Sequence, residues 1–593
     1  MKLLRLKITD PAGFRSLPYD FEHHFRTEWG LQEELAQPEG FAPFICAGPN
    51  GSGKSNLLEA LAAIFFQLEV QRVRRNFLPD VLQSTEQDFS PVAFELDYLI
   101  KLPDSYIHEG SPAWTKVCLR KEKNRPISFL WEDWSNFNTD IYKDQNANLI
   151  DFLTPNYVIG YSSGENEILS LPFFKMRFIQ FDEYWNTLAQ KLPYPGRPET
   201  RLAYLDNGFS QAILLCNLLF QDEATLQPFR EDVGIEELRE FRIILRRSVP
   251  VTRQQLAGFT SSEYVLPTET QDGRFTDTDV VYLEPETGDY RLNLLQRLEA
   301  NERTAIVEKL KRCATLHFHD EATDTLILDY KVNDATKQAF RENFDSSPLV
   351  LFQAFQVLLS LNLYTVSNTL KEDLYRSTSH YISETVPTLA SDQRIMRFKN
   401  FYFTKQGLEK PMLLKELSDG EHQLLHSLGL CLLFRETNSL FLLDEPETHF
   451  NPHWRASFIT RLRQCLTGTG KAAQEMLITT HTPFLISDSK PDKVLVFAKD
   501  KTSGTVSISK PTYNTLGASI NKITMNTFDK RETIGGHAQA LLDDLRRRFE
   551  EGHEDKETLI TKINQQLGDS VEKLLLIKTI LDTEQPDNKD GQD

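Results

Sequence analysis

Two groups of residues, far apart in the chain, have types and spacings suited to chemistry on a phosphate chain. The first is the glycine-rich stretch Gly48-Pro49-Asn50-Gly51-Ser52-Gly53-Lys54-Ser55. Glycines let backbone N–H groups wrap phosphate oxygens without interference from Cβ atoms. The pattern predicts that Lys54 contacts the β and γ phosphates of a bound nucleotide and that Ser55 supplies a hydroxyl to Mg²⁺.

The second group is the acidic pair Asp444-Glu445, which follows the apolar residues 440–443. Asp444 is expected to hold Mg²⁺, and Glu445 to polarise the attacking water. Further along, the apolar residues 476–478 lead to His481, which is placed to hydrogen-bond the γ phosphate. Together these residues predict ATP hydrolysis, with ATP and Mg²⁺ as the cofactors and Glu445 and His481 as the catalytic side chains.

These groups need particular elements to position them. Residues 44–47 form a short apolar run suited to a buried strand before the glycines. After the glycines, apolar residues recur at helical spacing: Leu57, Leu61, Ile64, Phe65 and Leu68. Residues 440–443 read as a central strand that delivers the acidic pair to the same site.

At this point the residues resemble the ABC-type ATPase heads shared by SMC, RecF and OLD proteins. Residues 417–423 are similar to the signature motif of those heads. The resemblance implies that Ser418 and Gly420 contact the γ phosphate of ATP held by another subunit. Glu421, which stands where transporter members usually carry glutamine, is expected to contact the same nucleotide. By the same resemblance the nucleotide site extends to Asn56 and to Arg15 of the Phe14-Arg15-Ser16 element.

More narrowly, the chain resembles compact ATPases of bacterial restriction-associated and anti-phage systems, including the Septu type. This resemblance rests on residues 47–56, 161–166, 417–421 and 567–573. It implies a homodimer or higher even oligomer closed around ATP, which controls a separately encoded nuclease or toxic effector. Two alternatives stay open: a RecF-like DNA-repair ATPase that binds duplex DNA, and a scaffold that seldom hydrolyses its ATP. The glutamine of the Q-loop could be Gln83, Gln87 or Gln180.

The predicted fold class is α/β: an ABC-type P-loop NTPase head with a mixed central sheet, an inserted mainly helical domain and a helical C-terminal region. Residues 1–184 form the first lobe of the head, and 395–510 form the second. Residues 185–394 form the insertion, with helices at 211–220, 235–247 and 349–364 and a hairpin at 280–292. Prolines interrupt this segment, so long coiled-coil arms are not expected. Residues 511–593 complete the chain and end in a disordered tail.

The amino-acid composition limits the kinds of molecule that the protein is expected to bind. Asp and Glu outnumber Lys and Arg by 85 to 66, a net charge of −19, which disfavours a surface that coats DNA uniformly. Local basic clusters at 72–75, 120–125 and 546–548 keep DNA open as a partner. The six cysteines contain no C-x-x-C pair, and no segment reads as a signal peptide or membrane span, so a cytoplasmic protein is expected. No Asp-x-Asp follows His481 on an apolar strand, so no intrinsic nuclease is predicted.

Overall fold

The computed structural model describes residues 1–36, 41–73, 78–83, 89–102, 113–131, 150–163, 168–190, 192, 194, 196–252, 256, 280–283, 289–299, 305–380, 386–466, 473–528, 534–552 and 554–582, which are here called the described chain. Its strands are β1 (Lys2–Ile8), β2 (Glu22–His24), β3 (Phe44–Ala47), β4 (Phe94–Lys101), β5 (Trp114–Lys121), β6 (Ser128–Trp131), β7 (Tyr157–Ser162), β8 (Leu202–Tyr204), β9 (Ile235–Arg246), β10 (Ser248–Val251), β11 (Val281–Leu283), β12 (Tyr290–Asn293), β13 (Leu316–Asp320), β14 (Thr325–Lys331), β15 (Met396–Lys405), β16 (Met412–Leu413), β17 (Ser439–Asp444), β18 (Glu475–Thr480), β19 (Val494–Lys499) and β20 (Val506–Ser509).

The helices are α1 (Glu28–Ala36), α2 (Lys54–Arg72), α3 (Asp80–Gln83), α4 (Ile150–Leu153), α5 (Ser170–Ala189), α6 (Ser210–Phe220), α7 (Gln227–Val233), α8 (Gln296–Glu299), α9 (Ile306–Cys313), α10 (Asp334–Asn343), α11 (Pro348–Ser360), α12 (Asn368–Arg376), α13 (Asp419–Leu433), α14 (Pro452–Leu466), α15 (Pro483–Ser487), α16 (Ile520–Thr527), α17 (Gly536–Glu550), α18 (Lys556–Gln566) and α19 (Val571–Asp582).

The site lies on a mixed sheet of seven strands in the order β20-β19-β3-β18-β17-β7-β8. Strands β3, β17 and β18 are buried along their whole length. Apolar residues fill β3 and the middle of β17 and β18, because strands of a sheet that is covered on both faces have no side open to water. The register sets Asp444 beside Ser162 and Thr479, and Thr480 beside Ala47. The carboxyl ends of four neighbouring strands therefore meet where the glycine-rich loop begins.

Helix α2 fills the space between this sheet and a second, antiparallel sheet in the order β2-β1-β4-β5-β6. Leu57, Leu61 and Phe65 on α2 belong to one hydrophobic core with Leu96 of β4 and Leu442 of β17. A helix with apolar residues on every side is buried on every side. The predicted strand at 44–47 and the predicted helix after the glycines are both confirmed, and they fix the direction in which the loop faces.

The insertion contains strands that the sequence prediction assigned differently. Residues 235–247 were expected to form a helix, but β9 occupies Ile235–Arg246 and pairs antiparallel with β14 and β15. The buried residues Leu238, Phe241, Ile243 and Leu245 lie three and then two apart, so the spacing alone fits either element. Pairing with strands roughly 80 and 160 residues further along decides between them, because tertiary contacts override local preference.

This pairing builds the sheet β13-β14-β9-β15-β16, in which β15 lies after residue 394 and β9 lies before it. The predicted domain boundary at 394 and 395 thus falls inside one sheet. The predicted mainly helical segment 185–394 contains α6 to α12 but also contributes strands to two antiparallel sheets. The predicted hairpin is confirmed as β11 paired with β12, although its turn at 284–288 lies outside the described chain.

The C-terminal region is helical, as predicted. Helices α17, α18 and α19 share a small hydrophobic core that includes Leu542, Leu559 and Leu576. The predicted disordered tail at 583–593 lies outside the described chain. Within the described residues no single helix has the length and apolar character needed to cross a membrane. One pair, Asp334–Asn343 with Pro348–Leu363, meets those criteria jointly but is bent by 78°.

Candidate active site

The glycine-rich loop runs from the end of β3 to the start of α2 in a conformation that side chains would obstruct. Gly48 has φ 146°, and a Cβ there would lie 2.4 Å from the carbonyl oxygen of Phe497. Gly53 precedes α2 with φ 94°, and a Cβ there would lie 2.7 Å from Ser16 Oγ. The two glycines let the loop pass close to β19 and to the segment after β1. Pro49, Asn50 and Gly51 form the exposed crest of the loop, and Ser52 is buried beneath it.

Lys54 turns back onto this loop from the first residue of α2. Its Nζ donates hydrogen bonds to the carbonyl oxygens of Gly48 at 3.1 Å and Pro49 at 3.0 Å. Burial lowers the pKa of Lys54, and the nearby carboxylates of Glu445 and Asp444 partly oppose that shift. A buried lysine that faces a glycine-rich loop is suited to an anionic ligand, which can replace the two carbonyl oxygens as its partner.

Ser55 and Asp444, predicted as metal ligands, are in direct contact although 389 residues separate them. Ser55 Oγ donates to Asp444 Oδ1 at 2.8 Å, and Thr479 Oγ1 donates to the same oxygen at 2.5 Å. Burial raises the pKa of Asp444, while these two hydrogen bonds oppose the shift. A hydroxyl and a carboxylate are the hard oxygen ligands that Mg²⁺ prefers, so the pair fits the predicted ion.

Glu445 and His481, the predicted catalytic residues, form a pair at the same edge of the sheet. His481 Nε2 lies 2.9 Å from Glu445 Oε1, and both side chains are about one-third exposed. The hydrogen bond from His481 lowers the pKa of Glu445, so the carboxylate is ionised at neutral pH. Glu445 has φ 49°, and its N–H donates to the backbone and side-chain oxygens of Thr479. Left-handed backbone of this kind is uncommon for a non-glycine residue and concentrates at functional sites.

Glu447, in the segment directly after the acidic pair, lies beside the site but was not among the predicted site residues. It is 3% exposed, and its Oε1 accepts a hydrogen bond from Thr480 Oγ1, next to His481. Its Oε2 is buried without a hydrogen-bond partner in the described chain. Burial raises the pKa of Glu447 to about 7, and the negative charge of Glu445 adds to the shift. A carboxyl two residues after the catalytic carboxylate was the available signal, but its burial could not be read from the sequence.

We expect Glu447 to make stability fall as pH rises. An unfolded glutamate ionises near its ordinary pKa of about 4.3, whereas the folded group ionises near 7. Between these values the folded chain binds more protons, so the free energy of unfolding decreases with pH, by up to about 4 kcal/mol. Replacing Glu447 by Gln removes this decrease. Unfolding of both proteins by denaturant at pH 5 and pH 8 measures the difference, and identical pH dependences would contradict the raised pKa.

The signature segment begins helix α13. Ser418 caps the helix: its Oγ accepts from the N–H of Glu421, and Glu421 Oε2 accepts from the Ser418 N–H at 2.8 Å. Glu421 also forms an ion pair with Lys405 of β15. Glu421, predicted as a nucleotide contact, is therefore engaged within its own chain as a capping residue. Ser418 and Asp419 are exposed, which leaves the N-terminal end of α13 open to an anion from outside the chain.

Arg15 lies on the far side of the loop, in the wall of a cavity of about 510 Å³. Its guanidinium donates to both oxygens of the buried Glu59, and His380 Nε2 lies 2.9 Å from the same carboxylate. Asn56 Nδ2 donates to Ser16 Oγ at 2.6 Å in the adjoining wall. Arg15 and Asn56 thus lie beside the loop as predicted, but Arg15 is paired with an acid that the sequence did not point to.

The other predicted features are less closely tied to the site. Gln180 donates to Thr200 at 2.6 Å, the side chain of Gln83 is not described, and Gln87 lies outside the described chain. All three glutamines therefore stay candidates for the Q-loop. The loop at 161–166 is described only to Ser163. Many cations of the basic clusters have acidic partners: Arg72 with Glu69, Arg120 with Asp97, Arg125 with Glu122, and Arg547 and Arg548 with Asp544.

Part of the chain matches a known protein family. Residues 309–487 match the family described as "AAA domain, putative AbiEii toxin, Type IV TA system". The matched region includes Ser418, Asp444, Glu445 and His481, and it begins after the glycine-rich loop. No curated protein matches the chain. The family match and the parallel sheet with its glycine-rich loop support the predicted P-loop ATPase head.

Two solved structures align with this chain over most of their own length, but with low TM-scores. One is the SMC head domain from Thermotoga maritima, with 11% identity and a TM-score of 0.27, covering 86% of this chain and 99% of that one. The other is an SMC head bound to the C-winged helix domain of ScpA, with 11% identity and a TM-score of 0.29, covering 86% of this chain and 96% of that one.

Proposed function

We propose that the protein binds and hydrolyses ATP between two of its own copies and uses this cycle to control an effector encoded separately. The observation that carries the proposal is the contact of Ser55 with Asp444 at 2.8 Å beside the pair of Glu445 and His481. Four residues from three segments meet at one edge of the sheet. Each has the chemistry that phosphoryl transfer to water requires at that position.

The residues divide the work between binding and chemistry. Lys54 and the loop N–H groups would bind the phosphates, and Ser55 with Asp444 would hold Mg²⁺, which when bound neutralises charge on the β and γ phosphates. Glu445 is ionised and half-buried, so it can accept a hydrogen bond from the attacking water. His481 would orient Glu445 through their hydrogen bond and contact the γ phosphate. The cavity at Arg15 and Asn56 is open beside the loop for the nucleoside.

A second copy supplies what this arrangement lacks. Ser418 and the N-terminal end of α13 are exposed, and within the described chain Ser418 bonds to residues of its own helix. A helix N-terminus with a free face stabilises an anion. In a head-to-tail pair, that end would meet the triphosphate bound at the partner's Lys54, so each site would draw on two chains.

The identity of the effector is the more specific part of the proposal. A nuclease or toxin of an anti-phage or restriction-associated system in the cytoplasm fits the resemblance of the motifs, and the matched family is itself described by a toxin system. A RecF-like role on duplex DNA is the competitor. The acid-paired arginines of the basic clusters favour the effector over DNA, because a cation that is already paired with an acid is less available to replace the counterions condensed on DNA. Co-purification with a nuclease supports the first, and DNA-stimulated hydrolysis with a steep salt dependence supports the second.

Mixing two inactive variants tests the shared site. Lys54→Ala removes the phosphate-binding cation, and Ser418→Asp keeps a good helix cap while placing a negative charge toward the partner's triphosphate. Each variant alone is expected to hydrolyse almost no ATP. Random pairing of the two makes mixed dimers with one intact site, so about a quarter of the wild-type rate should return. No recovery from two folded variants would overturn the head-to-tail arrangement.

A further inference from the structure

Gln423 is a buried amide that joins three segments around the site. It lies on α13 and is 5% exposed. Its Nε2 donates to Ser163 Oγ at 2.7 Å, at the end of β7, and its Oε1 accepts from the N–H of His449 at 2.9 Å. Because the His449 N–H is a fixed donor, the orientation of the amide is determined. Both ends of one side chain are thus used, with almost no contact with water.

The loop that Gln423 holds, residues 447–451, follows the acidic pair and is here called the post-acidic loop. It packs tightly against α13, because a Cβ at Gly420 would lie 2.7 Å from the carbonyl oxygen of His449. Its first residue, Glu447, is bonded to Thr480 on β18. The loop is therefore fixed to the signature helix on one side and to the strand before His481 on the other.

The same connection reaches the acidic strand. The N–H of Ser163 donates to the carbonyl oxygen of Asp444 at 3.1 Å, so a chain of hydrogen bonds runs from Asp444 through Ser163 to Gln423 and on to His449. Chains of buried hydrogen bonds hold their members in one arrangement, since a broken link leaves a polar group without a partner.

The surface over this chain is exposed and polar. Thr448 and His449 of the post-acidic loop are exposed, as are Ser418 and Asp419 at the start of α13. The close approach of Gly420 to His449 places these two exposed groups side by side. In the dimer proposed above, Ser418 is the residue that meets the partner's triphosphate, so the post-acidic loop would lie at the same interface.

We infer that Gln423 is a positioning residue that fixes the post-acidic loop and the start of the signature helix as one rigid surface, which acts on the ATP bound by the partner subunit. This inference rests on the proposed head-to-tail dimer and adds a direction to it, in the sense that Gln423 of one subunit affects the ATP site of the other subunit. Gln423 would serve the partner's site more than the site of its own chain, because its link through Ser163 ends at the backbone carbonyl of Asp444 and does not reach the carboxylate. A residue with only a packing role would have no such direction.

The mixed-dimer experiment can measure that direction. In a dimer of Lys54→Ala with Ser418→Asp, the one intact site combines the loop of the Ser418→Asp chain with the signature helix of the Lys54→Ala chain. Gln423→Met, which keeps the volume but loses both hydrogen bonds, is added to either chain. We expect at least a tenfold loss of ATP hydrolysis when it is on the Lys54→Ala chain, since small misplacements of a catalytic surface have effects of this size. On the other chain we expect a loss of less than about threefold.

Two controls keep the outcome clear. Gln423→Glu retains an acceptor for the His449 N–H, and the Ser163 hydroxyl can turn to donate to it, so this variant should restore most of the rate. ATP binding to the Ser418→Asp chain and the thermal midpoint of every variant show whether each chain is folded. Equal losses in both arrangements, no loss in either, or a Gln423→Met chain that does not fold while Gln423→Glu is inactive would overturn the inference. If the mixture without any change at Gln423 is inactive, the proposed dimer fails first.

Discussion

Glu445→Gln is expected to bind ATP normally and to lose about 10² to 10⁴ in the rate of hydrolysis, the range that a positioned general base contributes. The amide keeps the size of the side chain and can still contact His481, but it cannot accept a proton from water. Because Glu445 has a lowered pKa, the wild-type carboxylate is ionised across the neutral range, so the loss should be constant from pH 6 to 8. Steady-state phosphate release and equilibrium ATP binding measure the two effects separately.

The Glu445→Gln variant should also accumulate as a dimer closed around ATP. In the proposed dimer, hydrolysis would separate the two copies. Without hydrolysis they should stay joined around two nucleotides, which light scattering with ATP and Mg²⁺ would detect as a doubled mass. His481→Ala is the matched control: it removes the hydrogen bond to Glu445 and leaves the carboxylate, so a smaller loss of rate is expected. Turnover of Glu445→Gln equal to that of the wild type would remove Glu445 from its catalytic role.

Lys54→Met should weaken ATP binding by at least about 100-fold, because charge-assisted hydrogen bonds to phosphate in a buried site are among the strong ones. The stability of the folded protein should not decrease. Burial lowers the pKa of Lys54, so the folded state disfavours the charged form that the unfolded chain carries at neutral pH. Removing that charge should leave the thermal midpoint unchanged or raise it, as at other sites where function opposes stability.

Lys499→Met is the control for this prediction. Lys499 lines the cavity beside Arg15 but lies outside the glycine-rich loop, so its loss should change ATP binding by less than about tenfold. Calorimetric titration with ATP and Mg²⁺, together with thermal unfolding, gives both quantities for each variant. Equal affinities of Lys54→Met and the wild type would show that the loop does not bind the phosphates.

The local parts of the site could be predicted from the amino-acid sequence alone. The glycines of the loop, Lys54 and Ser55 are contiguous, and the backbone geometry they permit depends on no distant partner. The strands at 44–47 and 439–444 could be predicted because a buried parallel strand carries apolar residues without interruption. The meeting of Ser55 with Asp444 followed from the rule that such strands deliver their carboxyl ends to one edge.

Which polar residues are buried, and which groups they hydrogen-bond, depends on the packing of distant segments. Gln423 ends the predicted signature segment and Glu447 follows the acidic pair, but neither position reveals the hydrogen bonds to Thr480, Ser163 and His449. Residues 235–246 became a strand because two distant strands pair with them. Burial and long-range hydrogen bonds are set by how segments pack, and local sequence patterns do not encode which segments will meet.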